Sequence, residues 1–188
     1  MKNHYLFLVF FTFLASCKTG PKTTKPHEHI QANNQDSSTL KMIQVHQAEG
    51  EIWKIFGLEI LGKIDSAETN GQYSVIETRT PPNAGPPMHV HSREDELFYV
   101  LQGHYRFYCG ADSSEAVQGD LVHLPRGIAH GFKNVGDSLG VMINTISPGG
   151  FENFFRQVSL LSESGPMQPE EVKILAEKYG LRFIPSRK

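Results

Sequence analysis

His89-Val90-His91-Ser92-Arg93-Glu94-Asp95-Glu96-Leu97-Phe98-Tyr99-Val100-Leu101-Gln102-Gly103 is the run that decides how this chain is read. On an extended strand, residues i and i+2 point to the same face, so His89 and His91 present two imidazoles to one point. A carboxylate and a third imidazole arriving from other strands complete a set of three His and one carboxylate. Glu96 is the candidate carboxylate. The third imidazole is sought in a second run, Gly119-Asp120-Leu121-Val122-His123-Leu124-Pro125-Arg126-Gly127-Ile128-Ala129-His130-Gly131-Phe132-Lys133-Asn134, at His130. Mixed nitrogen and oxygen ligands suit a divalent transition metal and leave positions open for a substrate or dioxygen.

Working outward, the flanking sequence is strand-like and punctuated by Gly and Pro. Ile52 to Ile64 is rich in aliphatic and aromatic residues, and Asn70-Gly71 marks a turn before Tyr73 to Thr78. Leu97 to Leu101 and Tyr105 to Cys109 read as a hairpin around Gln102-Gly103. Gly119 to Leu124, His130 to Asn134 and Leu139 to Ser147 complete the set. Many short strands between Gly and Pro turns predict an all-β barrel or sandwich. The period then changes. Phe151, Phe154, Phe155, Val158 and Leu161 form an apolar helical stripe, read as packing on the barrel, and Pro169-Glu170-Glu171 opens a second helix ending at Gly180.

The first residues read differently. Lys2 precedes an almost unbroken apolar stretch, Tyr5 to Ala15, followed by Leu14-Ala15-Ser16-Cys17. Such a stretch is too short to cross a hydrocarbon core about 30 Å thick and reads as the apolar region of an export signal. Leu-Ala-Ser-Cys resembles a bacterial lipobox, which implies cleavage before Cys17, lipid on that cysteine and a chain exported and anchored to a bacterial membrane by lipid alone. Residues 18–39 are polar, with too little apolar surface to offset the entropy of ordering, and read as a tether. His27-Glu28-His29 within it imitates a ligand spacing, but a disordered segment cannot pre-position ligands. With Cys17 lipidated, Cys109 has no partner for an intramolecular disulfide, and its strand parity predicts a buried thiol. A net charge of −2 carries no basic face of the kind that binds nucleic acid.

The two runs resemble the paired motifs of the cupin superfamily. In the first, His89-x-His91, four residues, Glu96, six residues and Gly103 follow the family pattern; upstream, Asn83 stands where the family's glycine falls, with Gly85 nearer to His89. In the second, Gly119, Pro125, Gly127, His130 and Asn134 follow it throughout. Gly85-Pro86-Pro87, Glu94-Asp95-Glu96 and Ser147-Pro148-Gly149-Gly150-Phe151-Glu152 are similar to the single-domain group often described as quercetin-2,3-dioxygenase-like. The resemblance implies a jelly-roll β-barrel with C-terminal α-helices and one metal inside, held by His89, His91, Glu96 and His130. The chain then divides into a lipoprotein signal over 1–16, a tether over 17–40, a cupin domain over 41–165 and a helical tail over 166–188.

Strand parity places Phe98 and Phe132 on the inner face, and the apolar set of the Tyr105 strand adds Tyr105 and Phe107. These four are the candidate substrate pocket, whose aromatic character suits a planar organic molecule better than a sugar phosphate. Glu94 and Asp95 are expected at the rim, and His104 and His123 at the surface. The leading expectation is a dioxygenase acting on a small enolic or aromatic compound, with Glu96 as the catalytic base and Fe, Mn, Ni, Co, Cu or Zn as the metal. The alternatives are a metal-dependent isomerase, epimerase or lyase using Tyr105 or Tyr73 to handle a second proton, and a non-catalytic small-molecule-binding cupin. A homodimer is compatible with either.

Overall fold

A computed structural model describes residues 41–163, 165 and 168–185. The expectations for residues 1–16, Cys17, the tether over 17–40 and His27-Glu28-His29 lie outside the described residues. No helix among the described residues is long and apolar enough to cross a membrane.

The strands are β1 (Glu51–Ile55), β2 (Leu58–Ile64), β3 (Ser74–Thr80), β4 (His89–His91), β5 (Asp95–Gln102), β6 (His104–Cys109), β7 (Asp112–Val117), β8 (Leu121–Leu124), β9 (His130–Asn134), β10 (Gly140–Ser147) and β11 (Leu181–Phe183). Two helices, α1 (Glu152–Ser162) and α2 (Pro169–Lys178), lie between β10 and β11. The strands form a six-stranded sheet, β1-β2-β3-β10-β5-β8, and a five-stranded sheet, β11-β4-β9-β6-β7, with every pairing antiparallel. The all-β expectation is borne out.

Alternation builds the interior. Along β5, Glu96, Phe98 and Val100 are buried while Leu97, Tyr99 and Leu101 face outward. In β10, Met142, Asn144 and Ile146 are buried, and in β6, Tyr105 and Phe107 are. These side chains meet Ile60, Ile76, Leu124 and Phe132 in one core. Burying each large apolar side chain contributes about 1.5–3 kcal/mol before the entropy of ordering is subtracted.

The turns explain several boundaries. The apolar run Ile52 to Ile64 is broken at Phe56-Gly57, where φ values of 52° and 77° make the two-residue turn that joins β1 to β2. Gly103 turns β5 into β6 at φ 102°, and a β-carbon there would stand 2.8 Å from the Gly140 α-carbon. Asn83, at the place of the family glycine, takes φ 61° and so adopts the left-handed conformation that glycine would supply. Gly85 has its own role: a β-carbon on it would fall 2.0 Å from the Phe132 carbonyl oxygen, so only glycine lets this loop lie against β9.

The helix after Gly149-Gly150 matches its stripe in part. Phe151, Phe154 and Val158 are buried, but Leu161 is 51% exposed. At 100° per residue Leu161 lies only about 20° from the buried Phe154, so its exposure goes with its place in the last turn of α1 and not with its angle around the helix. α2 begins at Pro169 with a capping box between Gln168 and Glu171. The segment read as a helical tail also carries a strand. β11 pairs with β4 in the register Leu181↔His91, Arg182↔Val90 and Phe183↔His89, so the last described strand is the neighbour of the ligand strand. β7 is a further strand that the pattern does not announce: Asp112-Ser113-Ser114-Glu115-Ala116-Val117 buries only Ala116, and pairing with β6 makes it a strand despite its polar sequence.

Candidate metal centre

His89 and His91 point inward from β4, and His130 from β9, where its α-carbon is the register partner of His89. Glu96 comes from β5 in the other sheet, so the four residues close the space between the two sheets. One ligand atom from each lies within 4.8 Å of those of the others. The Glu96 Oε2 atom is 3.1 Å from His130 Nε2, 3.7 Å from His91 Nε2 and 4.0 Å from His89 Nε2. His130 is fully buried, and His89, His91 and Glu96 are at most 8% exposed. The sequence and the fold bring these four together as expected.

Their electrostatics reflect that enclosure. Burial is the largest influence on His89 and pulls its imidazole from 6.5 down to about 4, against the attraction of Glu96. For Glu96, burial raises the carboxyl, but His91, the hydrogen bond from His130 and the charge of His89 outweigh it and hold it at about 2. A buried carboxylate facing three imidazoles is a donor set for one cation, because unpaired ionised groups are costly to keep away from water.

The far ends of His89, His91 and Glu96 also have partners, whereas His130 Nδ1 is buried without one. His89 Nδ1 lies 2.7 Å from the Pro87 carbonyl oxygen, which assigns the ring proton to Nδ1 and leaves Nε2 as the ligand atom. His91 Nδ1 is 3.4 Å from Glu94 Oε2, and the Phe151 ring meets the His91 ring edge to face at 4.3 Å. Asn144 Nδ2 donates to Glu96 Oε1 at 2.7 Å. Among the described residues, His89, His91, Glu96 and His130 thus fit a single metal ion in chemistry, burial and convergence.

Glu94 corrects an expectation. It is 5% exposed and not at the rim, because the exposed Ser92-Arg93 bend lets its carboxylate fold back onto His91. Asp95 does stand at the rim. It accepts from the Arg126 backbone at 2.8 Å and pairs with its guanidinium at 2.7 Å, and these hydrogen bonds hold its carboxyl well below the usual range. The Gly127 N–H donates to the His91 carbonyl at 2.7 Å, so the turn before β9 is fastened to the ligand strand. His104 binds Glu115 on the surface, His123 is exposed, and Cys109 is a half-buried free thiol.

A cavity of about 60 Å³ opens above the four ligands, room for several water molecules or a compact ligand. Of the expected pocket residues, Phe98 and Phe132 line it. Tyr105 and Phe107 lie behind, packed on Phe132 at ring distances of 5.9 and 5.8 Å. Burial pushes the Tyr105 phenol up to about 12, and Tyr73 is 38% exposed; neither lines the cavity, so neither supplies the second proton-handling group an isomerase needs. The ionisable residues among the described lining are the four cluster members alone, and apolar side chains make up most of the rest. Sequence reasoning missed Asn144, Phe56 and Phe183. For Asn144 a signal existed: it is the polar member of the inward set Gly140, Met142, Asn144 and Ile146.

The comparisons with known proteins agree with this geometry. Residues 76–146 match the cupin domain family. The fold is the cupin double-stranded β-helix. A crystal structure of a predicted oxalate decarboxylase from Thermotoga maritima superposes with a TM-score of 0.53 at 20% identity, covering 56% of this chain and 99% of that one. An RmlC-like cupin from Shewanella frigidimarina gives 0.51 at 20% identity, over 61% and 98%. In sequence, the chain is 28% identical over 88 residues to quercetin 2,3-dioxygenase of Bacillus subtilis, 47% of this chain and 26% of that protein. It is also 28% identical over 50 residues to an uncharacterised protein of Streptomyces coelicolor, 27% and 48%. The chain thus spans about half or less of these two relatives.

Proposed function

We propose that this protein is a metal-dependent dioxygenase acting on a small enolic or aromatic compound. The observation that carries the reading is a buried group of three imidazoles and one carboxylate at the floor of a cavity whose other walls are uncharged. The partial likeness to a quercetin 2,3-dioxygenase supports it. His89, His91, Glu96 and His130 hold one divalent ion, taken from Fe, Mn, Ni, Co, Cu or Zn. When bound, such an ion would supply acidity towards a substrate hydroxyl and, for each of these metals but the redox-inert Zn, redox access to dioxygen. Glu96, ionised and facing that position through Oε2, is the group in reach of the hydroxyl proton. Phe98, Phe132 and Phe151 flank the substrate and keep water out.

The test is oxygen uptake by protein of measured metal content against phenols and ene-diols. Consumption of dioxygen with product is expected, and formation of the same product without dioxygen would refute the oxygenase reading. The same proposal includes export and lipid attachment at Cys17: in fractionated cells, Cys17→Ser is expected to move the protein out of the membrane fraction, and an unchanged distribution would exclude the anchor.

A further inference from the structure

Asn144 sits on β10 with its register partners Ile76 and Phe98 on either side, two register positions along from Ile146 and Glu96 and so on the same face. It is 2% exposed and lines the cavity. Its Nδ2 donates to Glu96 Oε1 at 2.7 Å. A carboxylate beside three imidazoles accepts hydrogen bonds, so the amide's NH₂ end must face it and the carbonyl end is turned away. That carbonyl oxygen, Oδ1, is buried and has no hydrogen-bond partner. Buried polar atoms without partners are rare in native structures, and this one belongs to a residue that lines a cavity beside the metal-ligand cluster, within reach of a ligand bound there.

We propose that Asn144 works at both ends: Nδ2 holds Glu96 so that Oε2 faces the histidines, and Oδ1 receives a hydroxyl or N–H of the bound substrate. The inference rests on the metal-centred reading above and narrows its substrate class. The molecule carries a hydrogen-bond donor next to the oxygen it presents to the metal, as catechols and ene-diols do. Among the described lining residues outside the ligand set, Thr78 is the other side chain able to accept a hydrogen bond, so a donor entering this apolar space finds few partners.

The experiment uses the full chain loaded with Co(II), titrated without dioxygen with catechol and with 2-methoxyphenol and followed by the visible cobalt spectrum. Metal content and thermal melting are measured for every protein. The native chain is expected to bind catechol about tenfold more tightly than its methyl ether, the size of effect that an unsatisfied buried polar group produces. In Asn144→Leu the ratio is expected to fall to about one, with Asn144→Ala as a second variant should the first load poorly. A ratio that survives in the variants means that the second hydroxyl goes to the metal, and overturns the proposal. Equal binding of the two probes by the native chain overturns it as well. If neither probe changes the native spectrum, the enol and phenol reading fails first, and this inference falls with it.

Discussion

The floor of the cavity and its outer end draw on the chain in different ways. His89, His91, Glu96 and His130 come from two short runs, and their convergence follows from alternation along β4, β5 and β9. The outer end is marked by Phe56, 40% exposed in the β1–β2 turn, and by Phe183 in the last strand, whose rings meet edge to face at 5.6 Å. Those two residues are separated by nearly the whole domain in sequence. A bulky residue at positive φ, as Phe56 is, carries backbone strain that its surroundings must offset. The comparison teaches that the chemistry of this fold is written locally, whereas access to it is assembled from the ends.

The sharpest way to break that division is to remove a floor residue. His130→Ala is expected to take bound metal from one ion per chain to near zero and to abolish turnover, read by elemental analysis. Retention of metal would mean that the floor is misassigned. Acid should also act on the floor. Burial holds His89 at about 4 rather than 6.5, so on acidification the unfolded chain gains a proton that the native chain refuses. Glu96, held at about 2 rather than 4.5, adds a second loss at lower pH. Metal-free protein is therefore expected to melt at progressively lower temperature from about pH 6.5 down through pH 4; a flat profile would contradict the buried, neutral His89.

A smaller effect tests the support behind the floor. Glu94→Ala removes the carboxylate from His91 Nδ1 and is expected to weaken metal affinity by about 10–100-fold, measured by competition with a chelator. Unchanged affinity would leave Glu94 with no part in holding His91. Smallest of all should be Phe183→Ala, with metal content unchanged and KM raised roughly tenfold, since it trims apolar contact area at the outer end. Loss of metal in that variant would show that β11 supports the ligand strand as well as the opening.

Much of the centre is legible in the sequence alone. The pairing of His89 and His91 needs only the two-residue period of a strand, and Glu96 and His130 follow from the resemblance to the paired cupin motifs. The inward parity of Phe98 and Phe132 is equally readable. Glu94 shares the inward parity of Glu96, and its expected place at the rim rested on its nearness to the turn; the structure follows the parity, with the carboxylate folded back onto His91. β7 and β11 escape notice for a different reason. Asp112 to Val117 is polar and Leu181 to Phe183 is three residues long, so neither carries a period of its own; pairing with β6 and β4 makes them strands.

Local periodicity and turn chemistry thus determined an all-β fold with His89 and His91 on one face, because both act over a few residues and leave their mark in composition, and the resemblance to the paired cupin motifs added the barrel, Glu96 and His130. Asn144 on Glu96 and Phe56 against Phe183 were decided by tertiary structure alone. Each is a contact between side chains whose separation depends on strand order, sheet closure and the landing of the last strand, and no spacing along the chain encodes those three together.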